Sequence, residues 1–465
     1  MKFWPVILGT VLLAGCAHYQ SRPLAPEKSA AQLESRRLDD AGLKKFLATN
    51  SVPALESWPL AKWNLNSLTL AAFYFHPDLA VARAQWQLAE AGVKTAGGRP
   101  NPTLSVSPQY NSTTFVPSPW GPSINFDIPI ETMGKRSKRI AEAEKLSEAA
   151  RWNFISAAWQ IRSGVRTALG EFSIAQQRLP LLQKQIAAQR KIVSLMQGSF
   201  DAGAAARTEL TAAQMALAKM QIEVSGAEAK VAETRSRLAE AIGVSVTALE
   251  GIEIENNFSA NAQESLPTDA ARRAALVGRA DIRAALADYA AAENNLRLEI
   301  AKQFPDMHLN PGYQFDQGDN KWALGLTVEL PILNQNQGAI AESRARRELA
   351  AAKFLQLQSQ IIAQVERAVA GWQSAQGQLK TSGELLAAAE QQQKSVTAQV
   401  QAGAVTKTDL AAAEIELASI RLAQLDSAAQ AQAALGALED ALQSPADLIA
   451  VVIEKISNER KSNEK

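Results

Sequence analysis

The sequence is poor in the side chains from which enzymes and metal centres are built. A single cysteine, Cys16, excludes an intramolecular disulfide framework and any multi-cysteine zinc site. The three histidines, His18, His76 and His308, are too scattered for a metal cluster. Neither sign of charge dominates: 48 Lys and Arg against 47 Asp and Glu leave a net charge of +1, with no basic excess for nucleic acid. Aromatic residues are only 6% of the chain, and alanine is abundant, as in helices packed closely through small side chains. No GxSxG, HExxH, P-loop or dinucleotide-binding fingerprint occurs in a supporting context, so nothing points to an enzyme. After the N-terminal segment no apolar run reaches about 18 residues, which excludes a membrane-spanning helix. A chain of 465 residues has the length of roughly two or three ordinary domains.

The N-terminus reads as an export signal. Lys2 supplies the positive start, and the apolar run from Phe3 to Ala14 is too short to span a bilayer comfortably. Leu13-Ala14-Gly15-Cys16 then has the form of a lipobox, and the only thiol of the chain sits at the position that accepts diacylglycerol. Ala17 comes next, where Asp would favour inner-membrane retention. The expectation is an outer-membrane lipoprotein facing the periplasm of a Gram-negative bacterium. Buried acyl methylenes contribute about 0.8 kcal/mol each, so a multiply acylated Cys16 is a firm anchor.

An internal repeat organises the rest of the chain. Phe200-Asp-Ala-Gly-Ala-Ala-Ala-Arg-Thr-Glu-Leu210 matches Val400-Gln-Ala-Gly-Ala-Val-Thr-Lys-Thr-Asp-Leu410 at an offset of 200 residues. Upstream, Pro102, Pro108, Tyr110, Pro129 and Gly134 find counterparts in Pro305, Pro311, Tyr313, Pro331 and Gly338, and Pro77-Asp78-Leu79 pairs with Ala280-Asp281-Ile282. So long a period means a duplicated, domain-sized unit of helix, two strands, long helix, tight turn and helix.

The strands alternate. Leu104, Val106 and Tyr110 share one face, with Thr103, Ser105, Ser107 and Gln109 opposite; Ile124, Phe126, Ile128 and Ile130 alternate with Asn125 and Asp127. In the second unit Met307, Leu309, Tyr313 and Phe315 alternate with His308, Asn310, Gln314 and Asp316, and Trp322, Leu324, Leu326, Val328 and Leu330 with Thr327 and Glu329. Runs of about ten to twelve residues suit tilted membrane-barrel strands, although a half-buried soluble sheet has the same period. The turn-rich segments 111–121 and 316–321 make each pair a hairpin. Residues 135–199 hold one proline, Pro180, which predicts a disturbed helix at that level, and Ser382-Gly383 predicts the same in the second unit. A heptad through Leu210, Leu217, Val224, Val231 and Leu238 predicts left-handed coiled packing. Four strands cannot close a membrane barrel, and open edges are forbidden in lipid. If these strands enter a membrane, several chains must share one barrel; three copies supply twelve strands and two supply eight, and periodicity does not choose between them.

Together these features resemble the TolC family of outer-membrane efflux ducts. The carrying segments are Leu68-Thr-Leu-Ala-Ala-Phe-Tyr-Phe-His-Pro-Asp-Leu79, Phe126-Asp-Ile-Pro-Ile-Glu-Thr-Met-Gly-Lys-Arg136 and Leu330-Pro-Ile-Leu-Asn-Gln-Asn-Gln-Gly338. Within the family the likeness is to outer-membrane components of cobalt–zinc–cadmium resistance pumps. The resemblance implies an α+β membrane protein: a homotrimer whose twelve-stranded outer-membrane β-barrel continues into a long periplasmic α-helical barrel. It implies partnership with a periplasmic adaptor and an inner-membrane resistance-nodulation-division pump, with no cofactor and no catalytic residue. The expected organisation is a signal peptide over 1–15, a linker or belt over 16–66, the first repeat over 67–242, a second belt over 243–267, the second repeat over 268–440 and a tail over 441–465.

The resemblance also assigns candidate sites. Gly203, Ala204, Gly403 and Ala404 lie at the helix–turn–helix corners where similar ducts dock their adaptor; the same glycines also serve to end helices. Asp409, with Glu209 at the matching position, stands where an acidic ring can constrict the aperture and attract cations; both residues equally suit helix starts. Val405 occupies a position that carries a gate-locking arginine in some members, a role that leaves Lys407 and Arg207 as substitutes. Thr103, Ser105, Asn125, Asp127, His308, Asn310 and Glu329 are expected to face the lumen, and Lys135, Arg136, Lys138 and Arg139 to meet lipid head groups or solvent. Two other readings remain: a duct for drugs or polypeptides, and, outside the class, a periplasmic coiled-coil spacer, for which the four strands have no use.

Overall fold

The computed structural model describes residues 19–50, 58–112, 117–255 and 269–443. Cys16 and the tail from residue 444 lie outside them. The same series of elements occurs twice. The first comprises α3 (Leu65–Phe75), α4 (Pro77–Ala96), β2 (Thr103–Ser107), β3 (Ser123–Ile130), α5 (Lys135–Asp201) and α6 (Arg207–Ile242). The second comprises α7 (Asp269–Gly278), α8 (Ala280–Ala301), β5 (Met307–Asp316), β6 (Asp319–Val328), α9 (Gln337–Gln401) and α10 (Lys407–Leu442). Ahead of them stand α1 (Pro26–Glu34), α2 (Ala41–Asn50) and β1 (Lys62–Trp63); β4 (Glu253–Ile254) lies between the units and pairs with β1 in parallel.

The strands form one antiparallel sheet in the order β2-β3-β5-β6, so the two hairpins are joined through β3 and β5. The strand lengths correct one expectation: β5 and β6 have the expected length, but β2 has only 5 residues and β3 has 8. Pro108 removes a ladder donor immediately after β2, and pairing resumes only at an isolated Tyr110–Trp120 bridge. Pro311 has the same effect inside the sheet, where the β3–β5 ladder skips from Asn125–Gly312 to Ile128–Leu309.

Helix α5 has 67 residues and spans about 100 Å. Neither long helix is broken: α5 runs through Pro180, and α9 through Ser382 and Gly383. Neighbouring helices hold the weak point of α5. Leu179, Leu181 and Leu182 pack around Pro180 against Ala227 and Val224 of α6 and Leu422 of α10. Tertiary contact on both flanks compensates the missing backbone bond.

The largest apolar core lies against the first unit, where Leu43, Leu47, Trp63, Leu68, Leu79, Phe154, Phe172 and Leu238 are buried together. It draws the segment ahead of α3 onto the helices. Arg36 fastens that segment, donating to the carbonyls of Phe75 (2.7 Å) and Gly243 (2.9 Å). Gly243 ends α6 at φ +82°, and a Cβ there would come within 2.9 Å of His76 Cα, so only glycine fits.

In the basic cluster only Lys135 departs from the expected exposure. Lys135 is buried and reaches Asp306 (2.8 Å), whose carboxylate also accepts from Thr132 N–H (2.9 Å). Arg136 donates to Gly97 O (2.7 Å), Lys138 to Met133 O (2.6 Å) and Arg139 to Gly98 O (3.1 Å), while Arg139 also pairs with Glu131. These cations hold carbonyls and two acids where helix meets sheet, with Lys135 buried and the others partly accessible.

Among the helices the two units meet where α8 and α10 pack on α5. Arg166 is held by Glu439 (2.7 Å), Asp440 (2.6 Å) and Gly436 O (2.9 Å); Asp440 also accepts from Trp159 Nε1 (3.1 Å) and Ser163 Oγ (2.6 Å). A Cβ on Gly436 would lie 2.7 Å from Arg166 Nε. Arg166→Ala is expected to cost about 2 kcal/mol, because it removes the cation from Asp440, which keeps only the neutral donors Trp159 and Ser163, and one of two cations from Glu439, which keeps Arg162. Gly436→Ala should cost less by displacing the same guanidinium, and the double variant should lose less than the sum. Thermal unfolding followed by circular dichroism measures all three.

Candidate functional site

The two ends of the long helices carry the candidate positions. Each turn is a helix C-cap closed on glycine: Gly203 has φ +73° and Gly403 φ +72°. In the first turn Gly203 N bonds Phe200 O (2.9 Å) and Ala204 N bonds Ser199 O (2.8 Å). In the second, Gly403 N bonds Val400 O (3.1 Å) and Ala404 N bonds Gln399 O (2.9 Å). This is the Schellman pattern, which satisfies the last carbonyls of a helix and turns the chain sharply. All four candidate residues are exposed.

The acids at the next helix starts differ from one another. Glu209 reaches back to Ala206 N–H (3.2 Å), where alanine offers nothing in return. Asp409 forms the full reciprocal box: its Oδ2 accepts from Thr406 N–H (2.8 Å) and Thr406 Oγ (2.6 Å), and its own N–H donates to Thr406 Oγ (3.2 Å). The Thr406 hydroxyl and N–H hold the Asp409 carboxyl below the usual carboxylate range, so it stays ionised at neutral pH and well into acid. Both acids are exposed. The helix-start role is therefore present, and it leaves a fixed negative charge at the turn. Thr406 was missed as its partner, although the Thr-x-x-Asp spacing is the signature of such a box. Val405 is half-buried, and Lys407 and Arg207 are the exposed first residues of their helices.

At the sheet, the alternation sorts side chains by face. Register pairs Leu104 with Phe126, Ile128 with Leu309, Leu309 with Leu326 and Met307 with Val328, giving one continuous apolar face. That face is exposed in the single chain, Trp322 at 81% and Leu324 at 73%. The opposite face gathers expected lumen residues from three strands. His308 Nδ1 lies 2.9 Å from Asp127, Asn310 donates to Asp127 (3.1 Å), and Thr327 donates to Asn310 (2.8 Å). Thr103 pairs with Asp127 and Ser105 with Asn125 on the same face. Glu329 lies one residue beyond β6. Among the described residues no group of three or more His, Cys, Asp or Glu could hold a metal ion, and no helix is long and apolar enough to cross a membrane.

Known proteins share this arrangement. The cobalt-zinc-cadmium resistance protein CzcC of Cupriavidus metallidurans is 24% identical over 280 residues, which cover 60% of this chain and 65% of that one. The chain thus spans a little under two thirds of that relative's length. Among solved structures, the outer membrane protein VceC of Vibrio cholerae matches with a TM-score of 0.66 at 22% identity, over 81% of this chain and 95% of that one. CusC, described in connection with transmembrane channel formation, matches with a TM-score of 0.68 at 18% identity, over 92% and 99%. The sequence profile of the outer membrane efflux proteins matches residues 73–244 and 271–443, one stretch in each repeat. With that much of its length matched, the chain belongs to the outer membrane efflux protein family.

Proposed function

We propose that this protein is the outer-membrane exit duct of a tripartite efflux system. Three copies share one twelve-stranded barrel, and their long helices continue it as a tube into the periplasm. Cys16 carries the lipid anchor. The observation that carries this reading is the sheet, with an apolar face, a polar face opposite, and edges at β2 and β6 that have no partner among the described residues. Such a sheet is one sector of a closed membrane barrel.

The paired turns at Gly203-Ala204 and Gly403-Ala404 receive the helical hairpins of a periplasmic adaptor, which couples the duct to an inner-membrane resistance-nodulation-division pump. The duct performs no covalent chemistry. The likeness to a cobalt-zinc-cadmium resistance protein supports heavy-metal cations as cargo, and a ring of ionised Asp409 carboxylates at the aperture favours positive ions.

A clean deletion strain tests the cargo. It should become selectively sensitive to one group among cobalt, zinc, cadmium, nickel, copper and silver, with growth restored by the intact gene; sensitivity to drugs and dyes alone would discard metals and keep the duct. Asp409→Asn retains a capping oxygen while removing the charge. In planar bilayers it should lower cation-over-anion permeability about two- to fivefold, the range for a partly screened surface charge, with the difference shrinking at high salt. Leu326→Arg on the apolar face should cost about 2–4 kcal/mol near the bilayer centre and deplete the protein from outer-membrane fractions, whereas Thr327→Arg on the polar face should leave its level unchanged.

A further inference from the structure

Two histidines lie among the described residues, and their hydrogen bonds give them opposite tautomers. His76 caps α4: its Nδ1 accepts from Asp78 N–H (3.2 Å), so the neutral ring carries its proton on Nε2. His308, the second residue of β5, turns Nδ1 toward both oxygens of Asp127, at 2.9 and 3.1 Å. A carboxylate can only accept, so in the neutral His308 ring Nδ1 carries the proton and the Nε2 lone pair is left open. The two side chains also differ in access, at 17% exposure for His76 and 40% for His308.

The carboxylate is itself held. Asn310 donates to Asp127 Oδ1 (3.1 Å), and Thr327 fixes the orientation of that amide by donating to Asn310 Oδ1 (2.8 Å). The chain of bonds from Thr327 through Asn310 and Asp127 to His308 thus crosses β6, β5 and β3 on the polar face, with His308 opposite Thr327 in register. Further along the same face the Asn125 amide lies over Gly312, where a Cβ would come within 2.2 Å of its Oδ1. A carboxylate on one imidazole nitrogen sets the tautomer and orientation of the ring and raises the basicity of the other nitrogen. That is the arrangement found behind metal-bound histidines.

Resting on the reading that the polar face lines the lumen, we propose that His308 is a transit ligand for a borderline divalent cation such as zinc, copper(II), cobalt or nickel. The ion binds at Nε2 with water in its remaining positions, and Asp127 is the positioning residue. Imidazole suits these metals, whereas magnesium prefers carboxylate and water oxygens. One protein ligand makes a weak site, in keeping with the lack of any three-ligand cluster among the described residues. A duct requires that weakness, because an ion must be favoured enough to enter and held loosely enough to leave. The site lies at the end of the sheet nearest the long helices, where β5 begins and β6 ends. On the same reading, Asp409 attracts any cation by charge, while His308 distinguishes among cations by ligand type.

Diethyl pyrocarbonate modification of the native protein in outer membranes, read by peptide mass spectrometry, tests the site without any variant. His308 should react, and zinc should protect it in a saturable way while magnesium at the same concentration does not. His76, of the other tautomer, should gain no protection. Asp127→Asn keeps an acceptor for Nδ1 but loses the charge, and it should raise the half-protecting zinc concentration about 10–100-fold. Reaction at His308 without zinc protection, equal protection at His76 or by magnesium, or an unchanged zinc requirement in Asp127→Asn overturns the site and leaves the duct standing. A His308 that reacts only after the protein is denatured overturns the water-lined face as well.

Discussion

A backbone in hydrocarbon must pair all its hydrogen-bonding groups within protein, and a four-stranded sheet with two open edges cannot do so. The rest of the structure depends on that constraint. The apolar face over Leu104, Phe126, Leu309 and Leu326 suits lipid, but only a closed ring removes the edges of β2 and β6. The duplicated unit provides half of the closure inside each chain. On the proposed reading the other half comes from another chain, since the edges at β2 and β6 have no partner among the described residues.

The helices obey the same logic in water. Alone, α5 and α9 would be long, weakly amphipathic rods. They are held because α6 packs on α5, α10 packs on α9, and α10 also reaches across to α5. The Arg166 cluster with Glu439 and Asp440 lies at that crossing. The terminal turns need almost nothing beyond a left-handed glycine and a cap, which leaves their surfaces free for a partner. The charge of Asp409 is held in place by the bonds that start its helix, so on the proposed reading aperture electrostatics and helix initiation rest on one side chain.

Much of this was legible in the sequence because it rests on period and on glycine. The alternation at residues 124–130 and 307–316 located strands and their faces, and the two Ala-Gly-Ala segments located the turns. What could not be read depends on neighbours distant in sequence. Pro180 marked a weak point in the helix, but nothing local showed that leucines on either side are clamped by α6 and α10. Lys135 and Arg139 looked like surface cations, but Asp306 and Glu131 lie against them once helix and sheet meet. Pro108, visible from the start, shortened β2 because a single missing N–H matters at an edge strand. The pairing of Asp409 with Thr406 was local and readable from spacing alone.

The central claim is that one chain is an incomplete sector of a closed duct. Native mass spectrometry of the protein extracted from outer membranes in mild detergent tests it most directly. The account predicts a dominant species of three chains, each carrying a lipid mass at its N-terminus, that conducts ions when reconstituted. A stable, folded single chain as the dominant membrane species would contradict it.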